Sequence, residues 1–263
     1  LIARDAKNRD VLFPYINGYE LNSSPSQSPS RWIINFFDWP LAKAGQYADC
    51  MRILRETVYP ERKQKKGAYA TRWWQYGRRQ ERLYRAISGL QRTLIIAQTS
   101  KTLAFVFVPT NYVYSHATVV VASAEASWFA LLQSSLHAAW ILKYGSSLKQ
   151  DACYRPTDCF ETFAFPRDLS TLERTGEAYH EHRRQLMLTR QEGLTATYNR
   201  FHDDEEKAQD IAQLRALQVD MDQAVAAAYG WDDLDLGHDF HETPQGLRYT
   251  ISPAARHEVL DRL

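Results

Sequence analysis

The stretch from Leu94 to Ser123, LIIAQTSKTLAFVFVPTNYVYSHATVVVAS, constrains the fold of this chain more than any other. Its β-branched and aromatic residues fall into three runs, Leu94–Ala97, Leu103–Val108 and Thr118–Val121, each the length of a short strand. Pro109 ends the middle run, because proline has no N–H to give to a ladder. Two polar connections separate the runs: Gln98-Thr99-Ser100-Lys101 and Asn111-Tyr112-Val113-Tyr114-Ser115-His116. An apolar sheet with such loops is a rigid scaffold holding hydrogen-bonding groups at its edge, which is how folds present recognition chemistry.

The flanking sequence reads in keeping with that sheet. Asn17-Gly18 is a turn signal after a short apolar run, and Ser23–Ser30 is Ser/Pro-rich loop. Trp32–Phe37 reads as a buried strand stopped by Asp38 and Pro40. Apolar positions recur at a helical period over Gln46–Tyr59, and Leu83, Tyr84, Ile87 and Leu90 give a second short helix one apolar face. Ala124–Tyr144 reads as an amphipathic helix capped by Gly145, and Phe160–Phe165 as a last short strand. From Asp168 the pattern turns helical: Ser170–His202, then Asp204–Tyr229, then a small strand at Arg248–Ile251 and a final helix after Ser252-Pro253. The expected class is α/β of the α+β kind. A mixed or antiparallel β domain with flanking helices spans 1–166, and a mainly helical domain spans 167–263. Both ends read as cut from a larger polypeptide.

Charge supports the same division. The 263 residues carry a net charge of +1, yet residues 1–166 hold 21 Lys+Arg against 12 Asp+Glu, and residues 167–263 hold 11 against 19. Within Arg52–Arg92 the balance is 12 basic to 3 acidic, interleaved with aromatics. So lopsided a half-chain points to a polyanion-facing surface. No run approaches the roughly 20 apolar residues of a membrane helix. The three cysteines, Cys50, Cys153 and Cys159, lack CxxC spacing and suggest a reducing compartment.

Catalytic signatures are missing from the sequence: there is no GxxxxGK[ST], HExxH, GxSxG or GxGxxG. His180 and His182 stand two apart, a spacing that does not share a helix face. His238, Asp239 and His241 form a loop set without an obvious fourth ligand, the basis of a rival reading as a hydrolase. The acidic run Asp203–Glu206 suits a helix start, where the macrodipole favours carboxylates. The expected catalytic set is therefore none, and the expected metal set none.

Recognition chemistry is better supplied. Trp73 and Trp74 read as core aromatics, and Arg72, Arg78, Arg79 and Arg82 as phosphate contacts. Lys149 and Asp151 place a donor and an acceptor two residues apart. In an extended segment both point the same way, and together they complement one G·C pair: Lys donates to guanine O6/N7 and Asp accepts from cytosine N4. A local salt bridge fits the same spacing.

VLFPYINGYELN, SRWIINFFDWP, RTLIIAQTSKTLAFVFVP, SSL-x5-YRPTDCFETFAFP, YHEHRRQLMLTRQEGLTATYNRFHD and MDQAVAAAYGWDDLDL together resemble the C-terminal part of MmeI-like (type IIL/IIG) restriction-modification proteins, including methyltransferase-only relatives in phage defence. The resemblance runs over nearly the whole chain. It implies a DNA target recognition domain at 1–166 and a helical segment after it, working with an upstream adenine-N6 methyltransferase and, in some members, a nuclease. Neither of those parts has its motifs here. No cofactor is expected in this fragment, while S-adenosylmethionine and Mg2+ belong to the parent. The setting implied is the bacterial cytoplasm. By position, the resemblance assigns one base to Lys149 and Asp151 and a neighbouring base to His116 and Ala117. With Gln98, Ser100 and Lys101 of the adjoining loop, and Arg155 on the backbone, these complete the expected DNA-contacting set. The alternative is a protein-interaction module whose basic face takes an acidic partner.

Overall fold

A computed structural model describes residues 1–148 and 151–263. In chain order, after a short 3-10 turn at Ala6–Asp10, come β1 (Leu12–Ile16), α1 (Gly18–Ser23), β2 (Arg31–Ile34), α2 (Leu41–Ala44), α3 (Ala48–Thr57), α4 (Tyr59–Arg62), α5 (Ala68–Thr71) and α6 (Glu81–Ile87). Next come β3 (Arg92–Ala97), β4 (Thr99–Ser100), β5 (Val106–Pro109), β6 (Val113–Tyr114) and β7 (Thr118–Val121). The chain continues through α7 (Ala126–Gln133), α8 (Ser135–Tyr144), β8 (Ser146–Leu148), β9 (Asp151–Cys153), α9 (Glu173–Arg190), α10 (Leu194–Phe201) and α11 (Gln209–Ala228). It closes with β10 (Asp239–Thr243), β11 (Gly246–Thr250) and α12 (Pro253–Arg262). The class is α+β, with small antiparallel pairings. Among the described residues no helix is long and apolar enough to cross a membrane.

Contacts gather the chain into two compact units that interleave in sequence. The first comprises Leu1–Tyr15, Pro29–Gly89 and Thr110–Val113. Its β1 pairs antiparallel with β2, from Leu12↔Ile34 to Tyr15↔Arg31. Val11, Phe36, Ala44, Tyr47, Cys50 and Met51 form the core, with Trp39, Trp73 and Trp74 packed on it. As expected, then, Trp73 and Trp74 are structural: Trp74 Nε1 donates to Trp39 O at 2.8 Å. The expected strand over 32–37 stops at Ile34. Beyond it, Asn35 Oδ1 accepts Phe37 N at 2.9 Å and Phe37 takes φ 47°, a turn that no ladder accommodates. The Phe37 ring then meets Phe13 and Tyr84 edge-on, both with centroids 5.3 Å away.

The second unit comprises Ile16–Ser28, Leu90–Pro109 and Tyr114–Leu263. These boundaries fall elsewhere than at 166/167. The three runs of the opening stretch contribute to one antiparallel sheet, β5-β3-β7, with β3 in the middle. The strand of the middle run, β5, begins only at Val106 and takes in Pro109, opposite Arg92, as its last paired residue. Leu94 to Ala97 of β3 are all buried, which is why that strand reads as continuously apolar rather than alternating. Helices α7 and α9 pack closely, and α9 also packs on α11.

Several local expectations are corrected here. Asn17 caps a helix rather than making a turn, its Oδ1 accepting Glu20 N at 2.9 Å. The helix expected over 124–144 is two helices, because Ser134 breaks out of helical geometry at ψ 153° and caps α8. Its hydroxyl takes His137 N at 3.2 Å, and Asp222 Oδ1 takes Ser135 N at 2.8 Å. The helix expected over 170–202 divides at Gln191, which sits in the left-handed region at φ 54°. Gly193 follows, so close to α1 that a Cβ would stand 2.4 Å from the Ser23 backbone. Phe160–Phe165 is not a strand. A π-turn at Pro156–Phe160 is followed by rings that pack with Trp128. The acidic run 203–206 precedes α11 by several residues; there Glu206 pairs with Arg200 at 2.8 Å.

At the centre of the second unit lies Arg183, 1% exposed and with no carboxylate among its described partners. It donates to Tyr198 Oη at 2.8 Å, to Gln133 Oε1 at 3.3 Å and to Phe105 O. The guanidinium also lies over the Phe129 and Tyr179 rings. Arg183→Met removes a charged donor from three buried acceptors, leaving Phe105 O without its side-chain partner, and should cost roughly 3 kcal/mol or more. Arg183→Lys should recover little of this, because one ammonium cannot present the planar fork. Urea unfolding at unchanged m measures both; a Met variant as stable as the parent would refute the role.

Three histidines, buried His137 and His180 and half-buried His202, are held neutral. Burial holds His137 and His202 down at about 3 and His180 at about 4, with neighbouring arginines lowering the latter two further. The unfolded chain takes up these protons below pH 6.5 and the folded chain does not until about pH 4. Stability is therefore full above pH 6.5 and falls as pH drops through that window. The slope should approach three protons, about 4 kcal/mol per pH unit. Urea midpoints between pH 7 and 5 test this, and His180→Phe should remove about a third of the slope. A flat profile would contradict it.

Candidate nucleic-acid interface

The two polar connections of the opening stretch and the segment that carries Asp151 were expected to bear recognition, and the backbone of Gln98 links them. Gln98 N donates to Ala117 O at 2.9 Å, and Gln98 O accepts Tyr154 N at 2.7 Å. The join follows from β3, whose buried strand ends at Ala97 and delivers Gln98 to the sheet edge. Immediately beyond, β4 pairs with β9 through Thr99↔Cys153 and Ser100↔Ala152, and β9 pairs with β8 from Ser146↔Cys153 to Leu148↔Asp151. Ser146–Leu148 and Asp151–Cys153 are therefore paired strands.

Around this join the expected readers take different positions. Lys101 and His116 are exposed, while Gln98, Ala117 and Asp151 are half-buried. Asp151 begins β9 opposite Leu148. Lys149 lies outside the described residues. Ser100 faces inward: it is buried, and its hydroxyl accepts Asn22 Nδ2 at 3.2 Å and Thr102 N at 3.0 Å. That geometry makes Ser100 a brace of the loop rather than a free group. Arg155 is exposed one residue after the join.

Two residues that sequence reasoning passed over set this geometry. Tyr154 is fully buried, its hydroxyl 3.2 Å from His137 Nε2 and its ring edge-on to Phe105 at 5.3 Å. Burial pushes its phenol far up, so it stays neutral and serves as an anchor. Ser115, also buried, fixes the other loop. Its N donates to Ile16 O at 2.9 Å, its hydroxyl accepts Ala117 N at 3.2 Å, and its carbonyl accepts the Thr118 hydroxyl at 2.7 Å. A tyrosine and a serine inside polar runs carry no periodic signal, so only the position of the surrounding strands would have marked them.

The first unit holds the arginine set. Arg72, Arg78 and Arg82 are exposed, whereas Arg79 is ion-paired with Glu81 at 2.8 Å. Arg62, Arg72 and Arg79 line a cleft of about 90 Å3 with Tyr69 and Tyr76, and no carboxylate lines it. Arg62 lies 4.9 Å from the Tyr69 ring centroid and donates to Gln75 O at 3.2 Å. Guanidinium groups beside tyrosine faces suit a phosphate backbone. Arg92, by contrast, belongs to the second unit and is committed to Glu177 at 2.7 Å, lowering that carboxyl's pKa.

The sets that might have indicated catalysis are engaged elsewhere. His180 packs between the Phe107 and Phe129 rings, and His182 Nε2 is 2.8 Å from Asp210 O. His238 Nε2 is 2.8 Å from the buried Asp222, while His241 Nε2 is 2.9 Å from Gly237 O. The 238–241 segment, expected to be loop, enters β10. Among the described residues no three His, Cys, Asp or Glu side chains gather as metal ligands.

Over residues 1–167 the sequence matches the family model described as "MmeI, target recognition domain". No curated protein matches the chain. Among solved structures the fold is similar to that of the type IIL restriction-modification enzyme MmeI in complex with DNA, with a TM-score of 0.62 at 17% identity. That similarity covers 99% of this chain and 32% of the MmeI chain, so this chain spans about a third of that enzyme's length. With the family model matching well over half of its residues, and the expected recognition loops joined at Gln98, this chain belongs to the MmeI target recognition domain family.

Proposed function

We propose that this chain is the part of an MmeI-like restriction-modification enzyme that reads a specific double-stranded DNA sequence. The observation that carries the reading is the junction at Gln98, which gathers the three loops and leaves Lys101, His116 and Arg155 exposed around it. In this reading residues 1–166 are the recognition domain. Asp151 with Lys149 reads one G·C pair, and His116 and Ala117 bear on a neighbouring base. Gln98 and Lys101 border both, and Arg72, Arg78, Arg82 and Arg155 contact phosphate. Arg79 joins them by exchanging Glu81 for a phosphate oxygen. The helices of 167–263 dock an upstream adenine-N6 methyltransferase of the parent protein, which supplies S-adenosylmethionine and flips the target adenine. A nuclease with its Mg2+ accompanies it where the parent carries one. The enzyme works in the bacterial cytoplasm.

Binding of the chain to random and cognate duplexes across salt tests the first step. The expected slope of log Kobs against log salt is about −0.9 per phosphate contacted. The pair Arg72→Gln/Arg78→Gln should lower its magnitude by about two with no change in sequence preference. Absence of binding to either duplex at low salt would leave the basic face to an acidic protein partner. Base reading is tested in the parent enzyme. Lys149→Glu with Asp151→Arg should move modification to a different base at one position, detected by sequencing the methylated sites. Loss of all binding without a new preference would count against the assignment.

A further inference from the structure

A cavity of about 100 Å3 in the second unit is not accounted for by sequence reading of DNA. Lys101 reaches it from the β4 loop, Arg248 from β11 and Arg256 from α12, and no aspartate or glutamate lines it. Neither arginine has an ion-pair partner among the described residues. Arg248 Nη1 donates to Leu247 O at 2.9 Å, while no hydrogen bond from the Arg256 side chain is made there. A guanidinium carries five donors, so most of this donor capacity is unused. Two further lining residues, Gln245 and His202, each hold a buried nitrogen, Nε2 and Nδ1, without a partner.

The wall behind adds to the imbalance. Tyr198 and Gln133 line the cavity and are also the groups that accept from buried Arg183, itself without a carboxylate. The carboxylate nearest in the network is Asp222, behind Gln218. Its oxygens are already taken by Ser135 N at 2.8 Å, Gln218 Nε2 at 3.0 Å and His238 Nε2 at 2.8 Å. Burial without compensation lowers the pKa of both Arg248 and Arg256. Half-buried cations with idle donors cost stability unless an anion completes them.

We propose that this cavity binds an oxyanion of the phosphate class, held between Arg248 and Arg256 with Lys101 at its mouth. Phosphate chemistry suits the site: cations approach from three separate elements, as the several oxygens of a tetrahedral anion require, and the arginines offer bidentate pairing. The site does not depend on the reading of DNA sequence. Its phosphate comes either from a free anion or from a nucleic-acid backbone passing the Lys101 loop.

The test uses the full chain and inorganic phosphate, with chloride at matched ionic strength as reference. Phosphate should raise the melting temperature of the parent saturably, and Arg248→Gln/Arg256→Gln should abolish the response. Lys101→Gln, at an exposed position, should weaken phosphate at least threefold. Equal effects of phosphate and chloride on the parent, or a full response in the double variant, would overturn the proposal. If the double variant does not fold, the decision passes to Lys101→Gln, and undiminished phosphate affinity there overturns it equally. A duplex arm separates the sources. For a backbone phosphate, Arg256→Gln lowers duplex affinity, reduces the salt slope by about one, and phosphate competes with duplex. For a free anion, duplex affinity is unchanged and saturating duplex leaves phosphate binding intact. Phosphate binding without any duplex binding by the parent would defeat the DNA reading and leave this site standing.

Discussion

The guanidinium of Arg183 is the group on which the second unit depends. It sits 1% exposed on α9, at the meeting of the segment entering β5, the end of α7 and the middle of α10. A buried cation of this kind is tolerated only when its donors are met, since the Born cost of an unsatisfied charge far exceeds any one hydrogen bond. Here a backbone carbonyl, an amide oxygen and a phenol accept from it, and the Phe129 and Tyr179 rings lie against it. Each of those acceptors comes from a different element, so the charge fixes their mutual positions more tightly than apolar contact alone does. Gln133 extends the network by accepting Phe105 N at 2.9 Å, and Tyr198 extends it to Tyr179 at 3.0 Å.

That fixed centre carries outward to the sheet edge. Phe105, whose carbonyl Arg183 takes, packs edge-on to Tyr154, and Tyr154 is hydrogen-bonded to His137 and, through its backbone, to Gln98. The path from buried charge to surface loop is thus a short series of packed or bonded groups. The loops around Gln98 are positioned by the core rather than by their own sequence.

The same series explains what was legible in the sequence. The three runs of Leu94–Ser123 were visible because β-branched and aromatic residues favour strands, and in β3 burial on both faces forces an apolar residue at every position from Leu94 to Ala97. Helix breaks at Ser134 and Gln191 were not, because both sit inside otherwise helical stretches. Ser134 is decided by a cap and by Asp222 from far along the chain, and Gln191 by a backbone conformation that a glutamine does not announce. Phe160–Phe165 looked like a strand because aromatics favour both strands and packed turns, and tertiary contact with Trp128 selected the turn. Of the candidate site, the exposed charges were legible as charges. Their braces, Ser100, Ser115 and Tyr154, were hidden because a buried polar residue looks in sequence like an exposed one. Arg183 was unreadable for the same reason: nothing in HEHRRQ says which arginine turns inward.

The separation of braces from exposed side chains has a thermodynamic consequence. Lys101, His116 and Arg155 project from backbone whose hydrogen bonds are made by other residues, so replacing their side chains removes no buried partner. Exposed substitutions of that kind typically move stability by no more than about 0.5 kcal/mol. Changes at Ser115 or Tyr154 orphan buried groups, at roughly 1–3 kcal/mol each. A surface built this way can alter the chemistry it presents while its geometry stays constant, because the energy that sets the geometry resides in residues that face inward. For Lys101 the argument has a second side: the same side chain reaches both the loop edge and the cationic cavity, so its charge acts on whatever anion occupies either place.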